Sequence, residues 1–423
     1  MSGTVAFDGG AFDLAAVRRR TLWVLSAGQI LGGVAFGATV SLGAVLAADI
    51  SGRDALSGLA AASTTLGAAI AAIPLARLAR RRGRRPALST GMAVALVGVM
   101  LVLFAGGLRS FPLLVAGFVL IGSGQAANLQ SRFAAVDLAT DRSRGRDLSV
   151  VVWATTIGAV LGPNLIGPGE AIGDALGMPH LTGPYVFTVV AQLLGIALYL
   201  SALRPDPLRL ADRLAAGANA VKSAVMHADR PQVARYAIFA NAAAHGVMAS
   251  VMAMTPIHLM GEGATIEIVG LTISLHILGM YGLSPVFGFL ADRVGRVRTI
   301  LVGQALFTGA LVTAALGQMS PFAVTIGLIL LGLGWSASTV AGAALLTEAS
   351  AETLRTRRQG RNDLAMNLVG SVGAILAGLI LGWIGYAGLA WCALVIVAAV
   401  AVLSPLGCRR QPAAAPETDR VRK

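Results

Sequence analysis

Apolar stretches long enough to cross a bilayer recur along the whole chain, and short polar stretches rich in arginine separate them. A spanning helix needs about 20 mostly apolar residues. Twelve stretches meet that requirement, six before a polar segment at 204–232 and six after it. They lie near residues 22–48, 57–79, 86–107, 111–139, 148–172, 184–203, 233–258, 266–291, 299–317, 321–348, 364–386 and 387–406. The pattern predicts an all-α membrane protein with twelve transmembrane helices.

The composition supports a surface that faces lipid. Of the 423 residues, 56% are hydrophobic and only 13% are charged, and the mean hydropathy is +0.76. A soluble domain has about a quarter of its residues charged. The first apolar stretch is too long for the apolar core of a cleaved signal peptide, so we expect it to remain as the first span.

The basic residues are distributed unevenly between the two sides of the predicted bundle. The net charge is +13, which in a soluble protein would suggest nucleic-acid binding. Here 30 of the 33 Lys and Arg fall on one side of the twelve spans, and the other side holds only Arg53 and Arg109. Cytoplasmic loops carry such an excess. We therefore expect a multi-pass protein of the plasma membrane with both termini in the cytoplasm and no nucleic-acid partner.

The two groups of six stretches repeat one another. Leu78–Arg84 reads LARRRGR and Leu290–Arg296 reads LADRVGR, each following the second stretch of its group. Two further matches occur in the same order, Gly122-x-Gly124 with Gly332-x-Gly334, and 157–162 with 372–377. The repeat predicts two pseudo-symmetric six-helix bundles, at 1–203 and at 233–423 with a cytoplasmic tail. Residues 204–232 would be the cytoplasmic linker between them.

Gly288-Phe-Leu-Ala-Asp292-Arg-Val-Gly-Arg296 resembles the loop signature of the major facilitator superfamily. The resemblance implies a twelve-helix secondary transporter of a small molecule that works by alternating access between repeated halves. It also implies a cytoplasmic gate made of Gly83, Arg84, Gly288, Asp292, Arg293, Gly295 and Arg296. The first copy has Ala76 and Arg80 where the signature has glycine and aspartate, and Phe118 where the family has a partner arginine. We therefore expect an acidic latch in the second half only.

A second element lies in the fifth span. Gly158, Gly162 and Pro163 resemble the glycine–proline element of the proton-driven exporters of this family, apart from Ile166 at one closing glycine. Glycines allow close helix packing, and a proline bends a helix because it cannot donate a backbone hydrogen bond. The resemblance implies proton-linked export. The alternative is a glycine–proline kink with no role in coupling.

In this family, helices 1, 4, 7 and 10 line the central cavity, and polar residues within spans are costly unless they have a function. The predicted cavity residues are Gln29, Gln125, Asn128, Arg132, Asn241, His245, His276 and Trp335. His245, His276 and Asp137 are the candidates for proton coupling, because histidine titrates near neutral pH. The alternatives are that Arg132 extends to the headgroups, that the histidines are neutral and hydrogen-bonded between helices, and that Trp335 only packs.

Three hypotheses of function follow. The first is a monomeric transporter that exports a small organic molecule in exchange for protons. The second is an importer or facilitator of a polar or anionic metabolite, favoured by Arg132, by the amides and by the lack of a carboxylate deep in helices 1, 4, 7 and 10. The third, from another class, is a non-transporting membrane sensor. No nucleotide-binding loop, metal-ligand spacing or catalytic motif is found, so we predict neither a cofactor nor an enzyme.

Overall fold

The computed structural model describes residues 4–7, 10–52, 56, 58–140, 143–219 and 229–408. A short antiparallel hairpin, β1 (Thr4–Phe7) and β2 (Gly10–Asp13), precedes the helices. Every other element is helical, so the prediction of an all-α fold is confirmed for the body of the molecule.

Eight helices come from the N-terminal part of the chain. They are α1 (Leu14–Ser51), α2 (Gly58–Arg82), α3 (Arg84–Leu108), α4 (Phe111–Ala134), α5 (Arg144–Asn164), α6 (Ile166–Ala175), α7 (Tyr185–Ala202) and α8 (Pro207–Asn219). The axes of α5 and α6 differ by 57° across a break just after Pro163. The bend predicted at this proline is therefore present.

Seven helices follow in the C-terminal part. They are α9 (Pro231–Gly261), α10 (Ile266–Tyr281), α11 (Ser284–Val294), α12 (Arg296–Leu316), α13 (Pro321–Glu348), α14 (Glu352–Val402) and α15 (Pro405–Cys408). The long α14 is broken at Gly385, where φ is 73° and ψ is −177°. This break falls where the sequence predicts the boundary between the last two spans.

Within the described residues, nine helical stretches are long and apolar enough to cross a membrane, and the bent pair α5–α6 makes a tenth. The broken α14 enters that count as a single stretch of 57 residues, Glu352–Cys408. A membrane protein with several spans is thus supported. The count of twelve stays a prediction.

Glycines bring equivalent helices of the two sequence repeats into backbone contact. A methyl group at Gly122 of α4 would overlap the carbonyl oxygen of Thr64 in α2. A methyl group at Gly332 of α13 would likewise overlap the carbonyl oxygen of His276 in α10. Close approach of this kind strengthens helix packing in a bilayer, where no hydrophobic effect drives helices together.

The two copies of the arginine-rich turn have the same backbone shape. Gly83 ends α2 with φ 99° and ψ 174°, and Gly295 ends α11 with φ 109° and ψ 152°. Such positive φ values favour glycine, which has no Cβ. The next residue, Arg84 or Arg296, begins the following helix and is buried at 1% or 9% exposure. We call the end of the bundle with these two turns the basic end.

The predicted linker is attached to each neighbouring group of helices at its own end. Asp206 accepts hydrogen bonds from the backbone N–H of Arg85 at the start of α3 (2.7 Å) and of Leu208 in α8 (3.1 Å). Asp229 binds Arg358 of α14 at 2.6 and 2.7 Å and accepts from the N–H of Ala351. The boundaries of the two halves and of the linker stay predictions.

Candidate functional site

A small recess with a cavity volume of about 10 Å³, enough for about one water molecule, lies among α1, α3, α4 and α7. Its walls are mostly small or apolar, with three side-chain amides. The lining residues are Gly32, Ala35, Phe36, Met92, Ile121, Gly124, Gln125, Asn128 and Gln192. None of these described lining residues is charged. The recess is too small for an organic ligand in this conformation, and the chemistry of its walls matches a ligand that is apolar in part and forms hydrogen bonds without carrying a net charge.

Gln29, which was predicted to line the cavity, is not among the lining residues of the recess but contacts the backbone of one of them. Gln29 of α1 donates from Nε2 to the backbone oxygen of Asn128 at 3.0 Å. Gly32 faces the Asn128 amide, and a methyl group there would overlap it. Among the described residues, the buried oxygens Oε1 of Gln125 and Gln192 have no hydrogen-bond partner. A buried acceptor without a partner costs about 1–3 kcal/mol, so a ligand that donates hydrogen bonds here gains that energy back.

His245, Trp335 and Tyr281 form a second group, on α9, α13 and α10. Trp335 donates from Nε1 to Nδ1 of His245 at 3.1 Å. Tyr281 packs edge-on against the Trp335 ring, with 5.6 Å between ring centroids. An indole N–H can only donate, so Nδ1 of His245 has no proton in this arrangement and the imidazole is neutral. This agrees with the alternative in which the histidine is neutral and bonded between helices.

His276 does not line the recess. It is completely buried between α10 and α13, and its Nδ1 lies 2.8 Å from the carbonyl oxygen of Leu328. The carbonyl oxygen can only accept, so Nδ1 carries the ring proton. The prediction that His276 lines the cavity finds no support in this position. The alternative of a histidine bonded between helices describes it.

Arg132 makes an ion pair across the molecule. It is 2% exposed and donates from Nη2 to Oδ1 of Asp363 in α14 at 2.8 Å. Asn362 donates to the same oxygen at 3.2 Å, and Asn241 of α9 donates to Asn362 at 2.8 Å. Arg132 therefore neither extends to the headgroups nor faces the recess, and Asn241 is a member of this network rather than of the recess. The predicted roles of Arg132 and Asn241 in a central cavity stay predictions.

A second buried arginine, Arg84 of α3, also contacts α14 of the C-terminal part. Arg84 donates to both carboxylate oxygens of Asp137, at 2.8 and 3.1 Å, and to Oε1 of Gln359 at 2.7 Å. Asp137 lies in the turn after α4, three residues past the end of that helix. Both of its oxygens bind Arg84, and its role in proton coupling stays a prediction. Asp137 orients Arg84 toward α14.

Asp292 of the signature connects α11 to the start of α5. Its two oxygens accept from the backbone N–H of Gly145 and of Arg146, each at 2.8 Å. A carboxylate is favoured at a helix N-terminus, where the unpaired N–H groups and the helix dipole are positive. Gly288 permits the contact, since a methyl group there would overlap the carbonyl oxygen of Gly145. Arg296 binds Asp292 from the other side at 2.5 Å.

The other residues predicted to form the gate lie in different surroundings. Gly83 and Gly295 form the two turns described above. Arg293 is exposed, and its guanidinium lies 5.6 Å from the Phe289 ring of its own helix. The expected acidic latch in the second half is present as Asp292. Arg84 and Arg132 of the first half add contacts to α14, and the acid among their partners there, Asp363, also lies in the second half.

The helix 5 element serves packing in this structure. A methyl group at Gly158 would overlap the carbonyl oxygen of Ile30 in α1, and Gly162 is buried. The element thus holds α5 against α1, the helix that carries Gln29 and Gly32. No contact described here connects it to a titratable group.

Several residues of the site were missed from the sequence. The sequence places Asp363 at the end of a span without a partner, and it does not single out Gln359, Asn362 or Gln192. The spacing of Gln359 and Asp363, four residues apart on one helix, puts them on one face and is the signal that was available.

Comparison with known proteins identifies the family to which the chain belongs. The sequence profile of the Major Facilitator Superfamily matches residues 25–263 and 237–423. The chain belongs to the Major Facilitator Superfamily. It is 33% identical over 375 residues to the uncharacterized MFS-type transporter YddS of Bacillus subtilis, covering 87% of this chain and 86% of that protein. It is 30% identical over 412 residues to the riboflavin transporter RfnT of Brucella anthropi, covering 94% and 98%.

Solved structures of the superfamily share the fold. The human organic anion transporter MFSD10 superposes with a TM-score of 0.72 at 16% identity, over 92% of this chain and 99% of that one. The transporter FucP in its outward conformation superposes with a TM-score of 0.65 at 15% identity, over 92% and 97%. The chain is accordingly a multi-pass membrane transporter of this superfamily and not an enzyme.

Proposed function

We propose that this protein is a secondary transporter that moves an uncharged, polar small organic molecule by alternating access, in exchange for protons. The proposal rests on the amide-lined recess and on the basic end, which is closed by buried contacts. Arg84, Arg132 and Asp292 each join an N-terminal helix to a C-terminal one there. Rocking of two helix groups about a central site would break these contacts and expose the recess on the other side.

The chemistry of the recess supports an uncharged substrate. Gln125, Asn128 and Gln192 offer amides, and the described lining contains no carboxylate to attract a cationic drug. The anionic substrate that Arg132 suggested loses its basis, because Asp363 already neutralises this arginine. RfnT is a riboflavin transporter, and riboflavin is an uncharged heteroaromatic compound with hydroxyl and imide donors. Riboflavin is therefore the first compound to test.

The direction of transport is proposed from the helix 5 element, which favours export from the cell across the plasma membrane. The alternative is uptake or facilitated movement of the same class of molecule. The absence of a titratable group in the described lining of the recess favours this alternative of uptake or facilitated movement. A monomer with both termini in the cytoplasm completes the proposal.

The test is transport into proteoliposomes that contain a pH-sensitive dye. Riboflavin and a panel of nucleosides, pterins and neutral amides are added, and labelled uptake and internal pH are followed together. Substrate-dependent proton movement supports coupled transport, and its sign relative to substrate flux separates exchange from symport. Substrate movement without proton movement would replace the exporter with a facilitator. If no compound moved while the protein remained folded, the assignment of an uncharged substrate would be wrong.

A further inference from the structure

We infer that Asp363 is the residue that takes up the coupled proton, and that its protonation releases Arg132 and opens the basic end. The inference rests on the proposed alternating-access function and adds the acid that drives it. Asp363 lies in α14, about 16 Å along the helix from its start at Glu352. Its side chain is completely buried against Arg132 of α4. The pair therefore joins one helix from each sequence repeat.

The pairing of Asp363 differs from that of Asp137 and Asp292. Both oxygens of Asp137 accept from Arg84, and both oxygens of Asp292 accept from backbone N–H groups. Only Oδ1 of Asp363 has partners; its buried Oδ2 has none among the described residues, and neither has Nε of Arg132. A proton can therefore bind Oδ2 without displacing any hydrogen bond.

The cost of separating the pair explains why a proton would be needed. Breaking a buried ion pair leaves uncompensated charge, which costs about 3–5 kcal/mol. If Oδ2 takes a proton from the outer side, from which the proposed exchange draws protons while the basic end is closed, Asp363 becomes neutral and its ionic bond to Arg132 is lost. Arg132 stays charged and faces the water that enters as α4 and α14 separate. Proton binding and opening are then linked, so each favours the other.

The other groups that face this turn of α14 do not provide an equivalent site. Arg84 approaches through Gln359, one turn away, and is itself neutralised by Asp137. From α2, Ala72 and Ala76 face Gly360, and from α13 Thr347 bonds to Gln359. His245 of α9 lies against Gly370, about two turns further along α14, and accepts from Trp335. His245 is thus the competing titratable group and needs its own control.

The test measures opening directly and needs no substrate. Spin labels are placed at Arg80→Cys in α2 and Arg357→Cys in α14, two exposed positions at the basic end, after Cys392 and Cys408 are changed to serine. Distances are recorded in nanodiscs from pH 5 to pH 9. If one proton drives opening, the ratio of the long to the short distance rises up to tenfold for each unit that the pH falls.

The variants separate Asp363 from its neighbours. Asp363→Asn should remove the pH dependence. If this variant folds poorly, the double variant Arg132→Gln with Asp363→Asn replaces it, because it leaves no unpaired buried charge. The double variant should also show no pH dependence. Asp292→Asn should favour the long distance at every pH but keep the tenfold slope. His245→Gln should keep the slope as well.

Three results would overturn the inference. One is a pH response that survives in both Asp363 variants, and another is a response that disappears in His245→Gln alone. The third is a wild-type distance distribution that does not change between pH 5 and pH 9. A failure of the proposed function would be distinguishable, because the label pair would then respond to pH as expected while no compound moved in proteoliposomes.

Discussion

Replacement of Asp292 by asparagine tests the latch between α11 and α5. The carboxylate accepts from two backbone N–H groups at 2.8 Å and binds Arg296, and its side chain is only 9% exposed. Asparagine has the same shape but carries no charge, and only one of its two terminal atoms can accept. The variant therefore loses one N–H bond and the ion pair, while the backbone is unchanged.

The magnitude follows from these contacts. A hydrogen bond to a charged group contributes about 1.5–3 kcal/mol, so the loss should destabilise the closed basic end by about 2–4 kcal/mol. That corresponds to a shift of roughly 30-fold to 1000-fold in the ratio of open to closed molecules. The latch touches no residue of the recess. We therefore expect slower transport with nearly unchanged substrate affinity.

The assay combines the spin-label pair at positions 80 and 357 with binding and transport of whichever compound the wild type moves. Arg293→Gln is the matched control, because Arg293 is the next residue but lies against Phe289 instead of α5. A shift of less than about threefold in Asp292→Asn would contradict the estimate. Lost binding in a folded variant would contradict the latch itself, and an equal shift in Arg293→Gln would show that the local charge matters rather than the contact.

Three further predictions concern packing, the recess and the linker. Gly122→Ala should lower the stability by about 1–3 kcal/mol, because its methyl group overlaps the Thr64 carbonyl oxygen; Gly270→Ala, which meets nothing within 4 Å, should change the thermal unfolding temperature little. Gln125→Leu and Gln192→Leu should each raise the KM for an uncharged substrate about 5-fold to 100-fold through the loss of one acceptor; an unchanged KM would remove the recess from the transport path. Arg358 and the Ala351 N–H hold the pKa of Asp229 below its usual value near 3.8, so the stability that Asp229 adds should be present at pH 7 and be lost as the pH falls through the lowered folded-state pKa. Comparing the unfolding temperature of Asp229→Asn with that of the wild type at pH 7 and at pH 3 checks this, and a difference that grew on acidification would refute it.

The fold was accessible from the sequence because lipid makes hydropathy a direct signal of span position. The repeat of LARRRGR and LADRVGR located two turns that share one backbone shape. The glycines of Gly122-x-Gly124 and Gly332-x-Gly334 located two close helix crossings. In each case a local sequence signal determined a local structure.

The site was only partly accessible, because its main contacts join residues far apart in sequence. Arg132 and Asp363 are 231 residues apart, and Arg84 and Gln359 are 275 apart. Gln125 and Asn128, which are three residues apart on α4, both line the recess. Helical spacing could not show that Arg132, one turn further, turns away to α14. The histidines were assigned because polar residues within spans are costly and histidine titrates near neutral pH, and neither reason distinguishes a side chain beside the recess from one between two helices.

The attachments of Asp206 and Asp229 have a consequence for building the protein from two fragments. Asp206 is bound to the start of α3 and Asp229 to the start of α14, so each end of the linker is held by the helices on its own side. A fragment of residues 1–219 would retain Asp206 at the start of α3, and a fragment of residues 229–423 would retain Asp229 at the start of α14. Co-expressed in one membrane, such fragments are expected to associate through the arginine contacts to α14 and to transport without a covalent connection. The order in which the two pieces are encoded would then be free to change.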